Sequence, residues 1–358
     1  MDKNILVITK DQFGYHIHTQ KYCEYLKNFY NVTYLCWDYG LPKIKHEGFT
    51  VKYITRKGSK LIRYFNFLKG LNAEIRKAEY DLIFIKYLDG ISILQFLNRN
   101  KKFNIDIRTK SIRKNSYLRY YNDLILKFEC SFFNNISIIS PGLGESLKLR
   151  KWHVLPLGGD RFAFKEKSFE QIHLLYVGTL YMRNILDCVK GFHKYLIDCR
   201  PSDRYNLFFT IIGDSKGNEL NEINDYINKN QLEKFVQTLG YVYYYDLNNY
   251  FEQANIGVSY IPMTKYFDNQ PPTKTYEYLL SGLPVIATNT KENIKILKDN
   301  CGVLIDDNED AFALGLKALI GKRKIFNSED IRNLYKDNLW ENITSNNLKR
   351  YIDELVMK

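Results

Sequence analysis

The sequence is poor in features that would tie it to a metal, a membrane span or an oxidising compartment. Its six cysteines, Cys23, Cys36, Cys130, Cys188, Cys199 and Cys301, stand singly, with no CxxC and no Cys/His cluster at metal-ligand spacing. They read as reduced packing thiols, in keeping with a cytosolic protein. No apolar run reaches the ~18 residues that a spanning helix needs. The opening, MDKNILVITK, lacks the apolar core and small-residue cleavage site of a signal peptide and reads as a first strand, so the expected location is the cytoplasm. There is no low-complexity tract and no repeat at a period of about 20–50 residues, which excludes a solenoid.

What the sequence does have is a lopsided charge. The net charge is +12 over 358 residues, yet residues 1–158 hold 27 Lys+Arg against 13 Asp+Glu, while the remaining 200 hold 25 against 27. Charge kept only for solubility would spread over both halves. An excess confined to one half points to an anionic partner for that half: nucleic acid, a phosphorylated substrate or an anionic membrane face. The basic residues are densest between Lys52 and Arg119, with 17 Lys+Arg against 5 Asp+Glu, interleaved with Tyr, Phe, Leu and Ile. SKLIRYFNFLKGLNAEIRK and SIRKNSYLRYYNDLILKFECSFF read either as amphipathic helices for a membrane surface or as core helices with a solvated basic face.

Hydrophobic periodicity gives the fold class. NILVIT, VTYLCW, TVKYIT, DLIFIKY, NIDIRT and NISIIS are short β runs separated by segments with helical spacing. Continuous apolar strands between amphipathic helices predict a parallel sheet covered on both faces. WHVLPLGGDRF breaks the pattern at Pro156, Gly158 and Gly159, and reads as a linker. HLLYVGTL, NLFFTIIGDSKG, KFVQTLGYV, ANIGVSYIP, LPVIATN and CGVLID then restart it. The expected organisation is two Rossmann-like, doubly wound α/β domains, residues 1–157 and 158–338, facing a cleft. A last helix, 339–358, is expected to cross back to the first domain. Ligands of such sheets sit outside the carboxyl ends of the strands.

Candidate chemistry therefore belongs to the strand-end loops. Gly178 and Thr179 end the first strand of the second domain, and Arg183 is expected in the first turn of the next helix, where a cation is unfavourable unless an anion shares the site. Gly213 ends the next strand, in a loop that reads as an ordinary turn or as part of the site. Tyr241 and Val242 offer backbone groups for a base edge and a ring to stack on it. In PPTKTYEYLLSGLPVIATNT, Pro272 and Thr273 suit a helix start with Thr273 as N-cap, Tyr276, Leu279 and Leu280 face the core, and Gly282 fits the C′ position. Lys274 then suits a phosphate and Glu277 the two hydroxyls of a ribose; the alternative is a surface ion pair three residues apart, worth ~0.3 kcal/mol.

LLYVGTLYMRN, TIIGDSKGN, LGYVYYYDLNNYFEQANIGVSYIP and PPTKTYEYLLSGLPVIATNT, in that order, resemble the donor domain of retaining GT-B glycosyltransferases, and family 4 (group 1) enzymes of bacterial polysaccharide assembly in particular. LPLGGDRF is similar to that family's linker, and ISIISPGLGESLKL to its last N-terminal strand and helix. The resemblance spans roughly residues 130–305 and is looser before them. It implies a nucleotide-diphosphate sugar in the second half, UDP before GDP, and a saccharide or polyprenyl-diphosphate-linked acceptor in the first. Transfer with retention is implied, with no metal or other cofactor, and Asp306-Asp307 reads as a helix cap. The second Glu of the family's Glu-x7-Glu motif matches Glu277, on the donor ribose. The first falls at Asn269, which brings no charge. Gln270, Pro272 and Thr273 match the turn whose amides face sugar and phosphates. Of the family's basic pair, one member matches Arg183 and the other falls near neutral Thr179, so Lys274 is expected to supply the missing charge. On the acceptor side, Asp106 and Arg108 match a polar strand end facing the donor sugar, or form a surface ion pair. In DQFGYHIHTQK, Gly14 is what remains of a Gly-rich loop, and His16 and His18 are either acceptor-binding or structural. A membrane-borne acceptor would account for the basic half, with the protein peripheral on the inner face of the cell membrane. The alternatives are a GT-B-fold nucleotide-sugar epimerase and a basic nucleic-acid-binding protein. No zinc finger, RNP-like or helix-turn-helix signal supports the latter, so nucleic acid is not an expected partner.

Overall fold

The structure, a computed structural model, describes residues 3–111, 115–200 and 206–357. It forms two compact units, Met1–Leu157 with Trp340–Lys358, and Gly158–Leu339. The first unit runs β1 (Asn4–Ile8), α1 (Ile17–Leu26), β2 (Asn31–Asp38), β3 (Thr50–Thr55), α2 (Lys60–Lys77), β4 (Leu82–Lys86), α3 (Ile91–Leu97), β5 (Phe103–Ile107), α4 (Ser116–Cys130), β6 (Ile136–Ile138), α5 (Pro141–Leu147) and β7 (His153–Val154). Its strands are parallel, in the order β3-β2-β1-β4-β5-β6-β7. Strand direction of growth reverses between β1 and β4, where a doubly wound sheet opens a crevice. Ile5 to Ile8 and Leu82 to Ile85 are buried without alternation because helices cover both faces.

The second unit repeats the plan. It runs β8 (Ile172–Val177), α6 (Ile185–Asp198), β9 (Leu207–Ile212), α7 (Glu219–Lys229), β10 (Val236–Thr238), α8 (Asn248–Gln253), β11 (Ile256–Ser259), α9 (Thr273–Leu280), β12 (Val285–Thr288), α10 (Lys291–Ile296), β13 (Gly302–Ile305), α11 (Glu309–Gly321) and α12 (Ser328–Tyr335). The parallel order β10-β9-β8-β11-β12-β13 reverses between β8 and β11. Val177 pairs with Ile212, so the loops after β8 and β9 start side by side. Asn308, and not Asp306 or Asp307, caps α11, its side chain accepting from the Ala311 amide at 2.8 Å. Asp307 instead accepts from the Met263 amide at 2.8 Å and pins the segment after β11.

The chain then returns to the first unit as α13 (Trp340–Ile343), a π-helical turn Thr344–Leu348 and α14 (Lys349–Met357). Trp340 is fully buried, its ring 5.3 Å from that of His18 and 5.9 Å from that of Tyr22. Polar contacts finish the docking. Tyr351 Oη donates to Asn104 Oδ1 at 2.8 Å, Tyr30 Oη to Asp353 Oδ1 at 2.6 Å, and Lys102 Nζ to the Leu355 carbonyl at 2.6 Å. Among the described residues no helix is long and apolar enough to cross a membrane.

Candidate functional site

In the second unit, the rim of the sheet is built on glycine. Gly178 and Gly213 follow β8 and β9 with φ of 144° and 152°, a backbone region that side chains avoid. A Cβ on Gly213 would lie 1.8 Å from the Gly178 carbonyl oxygen, so the two strand ends pack backbone to backbone. The Gly178 amide donates to Ile212 and the Gly213 amide to Gly240, at 2.9 and 2.8 Å. Tyr241 is exposed and Val242 half-buried just beyond that row. Thr179 is exposed, its carbonyl taking the Tyr176 hydroxyl at 2.7 Å.

α9 delivers the charges. Pro272, not Thr273, is its N-cap, and it brings no side-chain cap bond to the first amides. Thr273 is instead the first helical residue. At the other end the Gly282 and Leu283 amides bond back to Leu279 and Tyr278, a Schellman closure that fixes the helix length. Tyr278 is fully buried where Tyr276 is only half-buried, and its hydroxyl accepts from the Val177 amide at 2.8 Å, locking α9 to the end of β8. From that platform Lys274 reaches across Gly178: a Cβ there would meet its Nζ at 3.1 Å. Nζ sits 3.8 Å from the centre of the Tyr176 ring, so Lys274 is committed to the rim and not to a helix-surface pair with Glu277.

Arg183 lies just ahead of α6 and not in its first turn, since Asn184 is the N-cap. Met182 and Asn184 on either side both have left-handed backbone, φ 57° and 54°. Such strain clusters where a side chain must be aimed. The Arg183 guanidinium lies 4.1 Å from the Phe267 ring centre and donates to the Met182 carbonyl at 3.3 Å. Burial lowers its pKa. Burial, and then the charge of Arg183, hold Lys274 well below the usual lysine range. Neither cation has a carboxylate within ion-pair distance among the described residues. Two cations on aromatic rings at a glycine rim form a site short of negative charge.

Beside them is a carboxylate pair. Tyr244 Oη lies 2.9 Å from both Glu277 Oε1 and Asp160 Oδ2, so one proton serves two acceptors, and burial with the two charges raises the Tyr244 pKa. Asp160 reaches the site because Gly159 leaves room: a Cβ there would meet Glu277 Cγ and amide nitrogen, both at 3.2 Å. Asp160 and Tyr244 were not singled out from the sequence. The signals were present, a GGD in the linker and a second tyrosine after Tyr241. Asn269 and Gln270 close the turn before α9, with the Gln270 amide bonded to Phe267 at 3.0 Å and Nε2 to Tyr266 at 3.2 Å.

In the first unit a cavity of about 490 Å³ opens at the ends of β1, β4 and β5, where strand order reverses. Lys10 and Asp89 line it, and six further charges come in pairs: Lys86–Asp11 at 2.6 Å, Arg108–Asp106 at 2.5 Å and Lys110–Asp123 at 3.6 Å. Burial would raise Asp11, but Lys86, His16 and Lys10 together outweigh it and bring the carboxyl to about 2. The Asp106–Arg108 pair is not on the surface: the two residues are 0% and 7% exposed. Asp106 has both oxygens committed, Oδ1 accepting from Ser137 at 2.7 Å and Oδ2 from Arg108. Arg108 also donates to the Leu155 carbonyl at 3.1 Å and to the Tyr22 hydroxyl. These contacts make the pair a fixed wall.

Of the three residues expected from the first loop, the cavity takes one. His16 lines it, with Nδ1 buried and no partner among the described residues; burial, then Lys86, push its pKa down to about 4. His18 turns away into the core, its ring 5.2 Å from that of His16 and against Trp340. The space over Gly14 is filled by Ile44, whose Cγ1 a Cβ would meet at 2.1 Å, so that backbone faces packing. Among the described residues no three His, Cys, Asp or Glu side chains converge as metal ligands.

Residues 171–322 match the family model of glycosyl transferases group 1, and residues 6–110 that of the glycosyl transferase 4-like domain. The chain is a glycosyltransferase of the GT-B type. Solved structures share the fold over nearly the whole chain. Sucrose-phosphate synthase from Thermosynechococcus elongatus is 14% identical with a TM-score of 0.78, over 99% of this chain and 100% of its own. Anabaena HepE with UDP and glucose is 12% identical with a TM-score of 0.74, over 98% and 100%. A glycosyltransferase from Rickettsia africae is 16% identical with a TM-score of 0.70, over 100% and 99%. No curated protein sequence matches the chain. In this glycosyltransferase, Gly178, Arg183, Lys274 and Glu277 fall within the group 1 domain, and His16, Asp106 and Arg108 within the other. With the activity class fixed, neither the epimerase reading nor the nucleic-acid reading of the basic half is needed.

Proposed function

We propose that the enzyme is a retaining hexosyltransferase that moves a sugar from a nucleotide-diphosphate sugar, UDP before GDP, to a glycan or lipid-linked saccharide. The setting is the assembly of a bacterial surface polysaccharide at the inner face of the cell membrane. The observation that carries this is the pair Lys274 and Arg183, held on rings at the Gly178 rim with no carboxylate at ion-pair distance among the described residues. A diphosphate supplies the missing negative charge. It gains more as the bond from its β-oxygen to the sugar C1 breaks, and preorganised cations stabilise that growing charge. Glu277, steadied by Tyr244, accepts the two ribose hydroxyls. Tyr241 and Val242 meet the base, while Asn269, Gln270 and Thr273 meet sugar and phosphates. The acceptor hydroxyl forms the new bond to C1 and gives its proton to the departing diphosphate, so no metal and no enzyme base is required.

In the first unit His16 is neutral at pH 7, its pKa about 4, and its ring nitrogen is suited to hold an acceptor hydroxyl. Asp106 and Arg108 keep the wall of that cavity in place. Several neighbours are consistent with a UDP donor: HepE was solved with UDP and glucose, and an E. coli trehalose-6-phosphate structure with UDP-2-fluoro glucose. A lipopolysaccharide outer core galactosyltransferase shares the fold at a TM-score of 0.66. The test is to incubate the enzyme with UDP- and GDP-sugars and lipid-linked saccharides, and to read the anomeric proton of the product by NMR. Retained configuration is expected. An inverted product would overturn the retaining mechanism, and neither transfer nor donor hydrolysis with any nucleotide sugar would overturn the donor assignment.

A further inference from the structure

The helices α2, α3 and α4 of the first unit leave a large apolar surface uncovered. On α2, Leu61, Ile62 and Phe65 are exposed, Phe65 at 68%; on α3, Ile93, Phe96 and Leu97, Phe96 at 66%. On α4, Tyr117, Tyr120, Tyr121, Leu124 and Phe128 stand out at helical spacing, Tyr117 at 86%. These residues repeat at three- and four-residue steps, so each helix carries one apolar stripe and turns it outward. The helices adjoin. Arg76 of α2 donates to the Leu97 carbonyl of α3 at 3.1 Å, and Ser92 of α3 bonds Glu129 of α4 at 3.1 Å. Leu68 and Ile93 meet over Gly90. Exposed apolar surface of this extent on one unit marks an interaction face.

Charge says what covers it. The three helices contain three acidic residues, and all are turned inward. Glu74 takes Lys52 Nζ at 2.6 Å and the Tyr80 hydroxyl at 2.7 Å; Asp123 takes the Ser111 amide at 2.9 Å; Glu129 takes the Tyr87 hydroxyl at 2.9 Å. Exposed Lys60, Lys69, Arg76 and Lys127 rim the stripes, with Arg99 4.3 Å from the Phe96 ring centre. Aromatic and aliphatic side chains ringed by cations, with every carboxylate of the three helices withdrawn, suit the headgroup and upper acyl region of an anionic bilayer. The same α4 lines the first-unit cavity with Asn122, Asp123 and Leu126 from its other side. One helix thus borders both the apolar face and the cavity assigned to the acceptor.

We infer that α2, α3 and α4 dock the enzyme on an anionic lipid surface, so that a saccharide anchored in that surface enters the cavity along α4. The entry route rests on the acceptor reading above, but the docking face does not. The test is co-sedimentation of the full chain with vesicles of phosphatidylglycerol or of phosphatidylcholine, containing neither donor nor acceptor. Partition onto phosphatidylglycerol is expected to exceed that onto phosphatidylcholine about tenfold and to weaken with salt. The variant Phe65→Ser/Tyr121→Ser/Phe128→Ser should lose about tenfold. Its melting temperature and the shift produced by UDP should be unchanged, because all three side chains are exposed. No partition onto phosphatidylglycerol overturns the proposal, as does partition that the triple variant leaves intact. A solution dimer that the triple variant dissolves also overturns it, assigning the face to a second copy of the chain. Vesicle binding without any sugar transfer would strike the functional reading and leave the docking face standing.

Discussion

Lys274 shows how far a single side chain can be read and where reading stops. The sequence gives its place at a helix start, and a missing family cation gives it a task. That its amine crosses Gly178 and rests on Tyr176 is set by β8 and α9, joined by the hydrogen bond between Val177 and Tyr278, 101 residues apart. Lys274→Ala should weaken UDP binding by about 10–100-fold, about 1.5–3 kcal/mol for charge-assisted bonds, and lower kcat as well; calorimetry and initial rates check this. Because burial and Arg183 depress the lysine pKa and a bound diphosphate raises it, binding takes up a proton. Affinity should therefore fall as pH rises through the free enzyme's Lys274 pKa. Lys274→Arg, which keeps its charge, should remove that fall.

His16 predicts a different pH dependence. Its pKa is about 4 in the fold against 6.5 when free. Between those values the unfolded chain binds a proton that the folded one refuses, so stability is full above pH 6.5 and declines down to about pH 4. The loss is at most ~3 kcal/mol, and smaller where water reaches the half-exposed ring. Asp11, brought to about 2, extends the decline below pH 4. Urea unfolding midpoints between pH 7 and 4 should fall for the wild type and fall less for His16→Gln.

At the scale of elements, the strand-end loops were legible and their partners were not. The periodicity of NILVIT, DLIFIKY or HLLYV is local, and the structure has a buried parallel strand at each. The residues that steady Glu277 come from the linker and from the turn after β10, at sequence separations of 117 and 33, which no periodicity reports. Likewise Gly14 and His18 look like loop chemistry in the sequence, but Ile44 and Trp340 claim them from distant elements. Tyr244→Phe removes the one proton shared by Asp160 and Glu277 and leaves two carboxylates facing each other. Donor KM should rise several-fold, ~1 kcal/mol, with kcat changed less. An unaltered KM would detach the pair from donor binding.

At the scale of the molecule, two runs of alternating strands and helices were visible as a repeated pattern, and the fold class follows from it; the strand orders were not, and the first sheet carries one strand more than the second. The return of Trp340–Lys358 to the first unit explains why that tail is apolar on one face: Trp340, Ile352 and Leu355 are buried there. Trp340→Ala empties a site between His18 and Tyr22 and should cost the first unit ~3–5 kcal/mol. A melting curve should show this loss while UDP still stabilises Gly158–Leu339.

On the proposed function, this second unit holds a nucleoside diphosphate through Arg183, Lys274 and Glu277. Isothermal titration of UDP into the wild-type enzyme and into Lys274→Ala and Glu277→Ala tests it most directly. One saturable site is expected in the wild type, at least tenfold weaker in each variant. Absence of heat for UDP and GDP alike, or equal affinity in all three proteins, would contradict it.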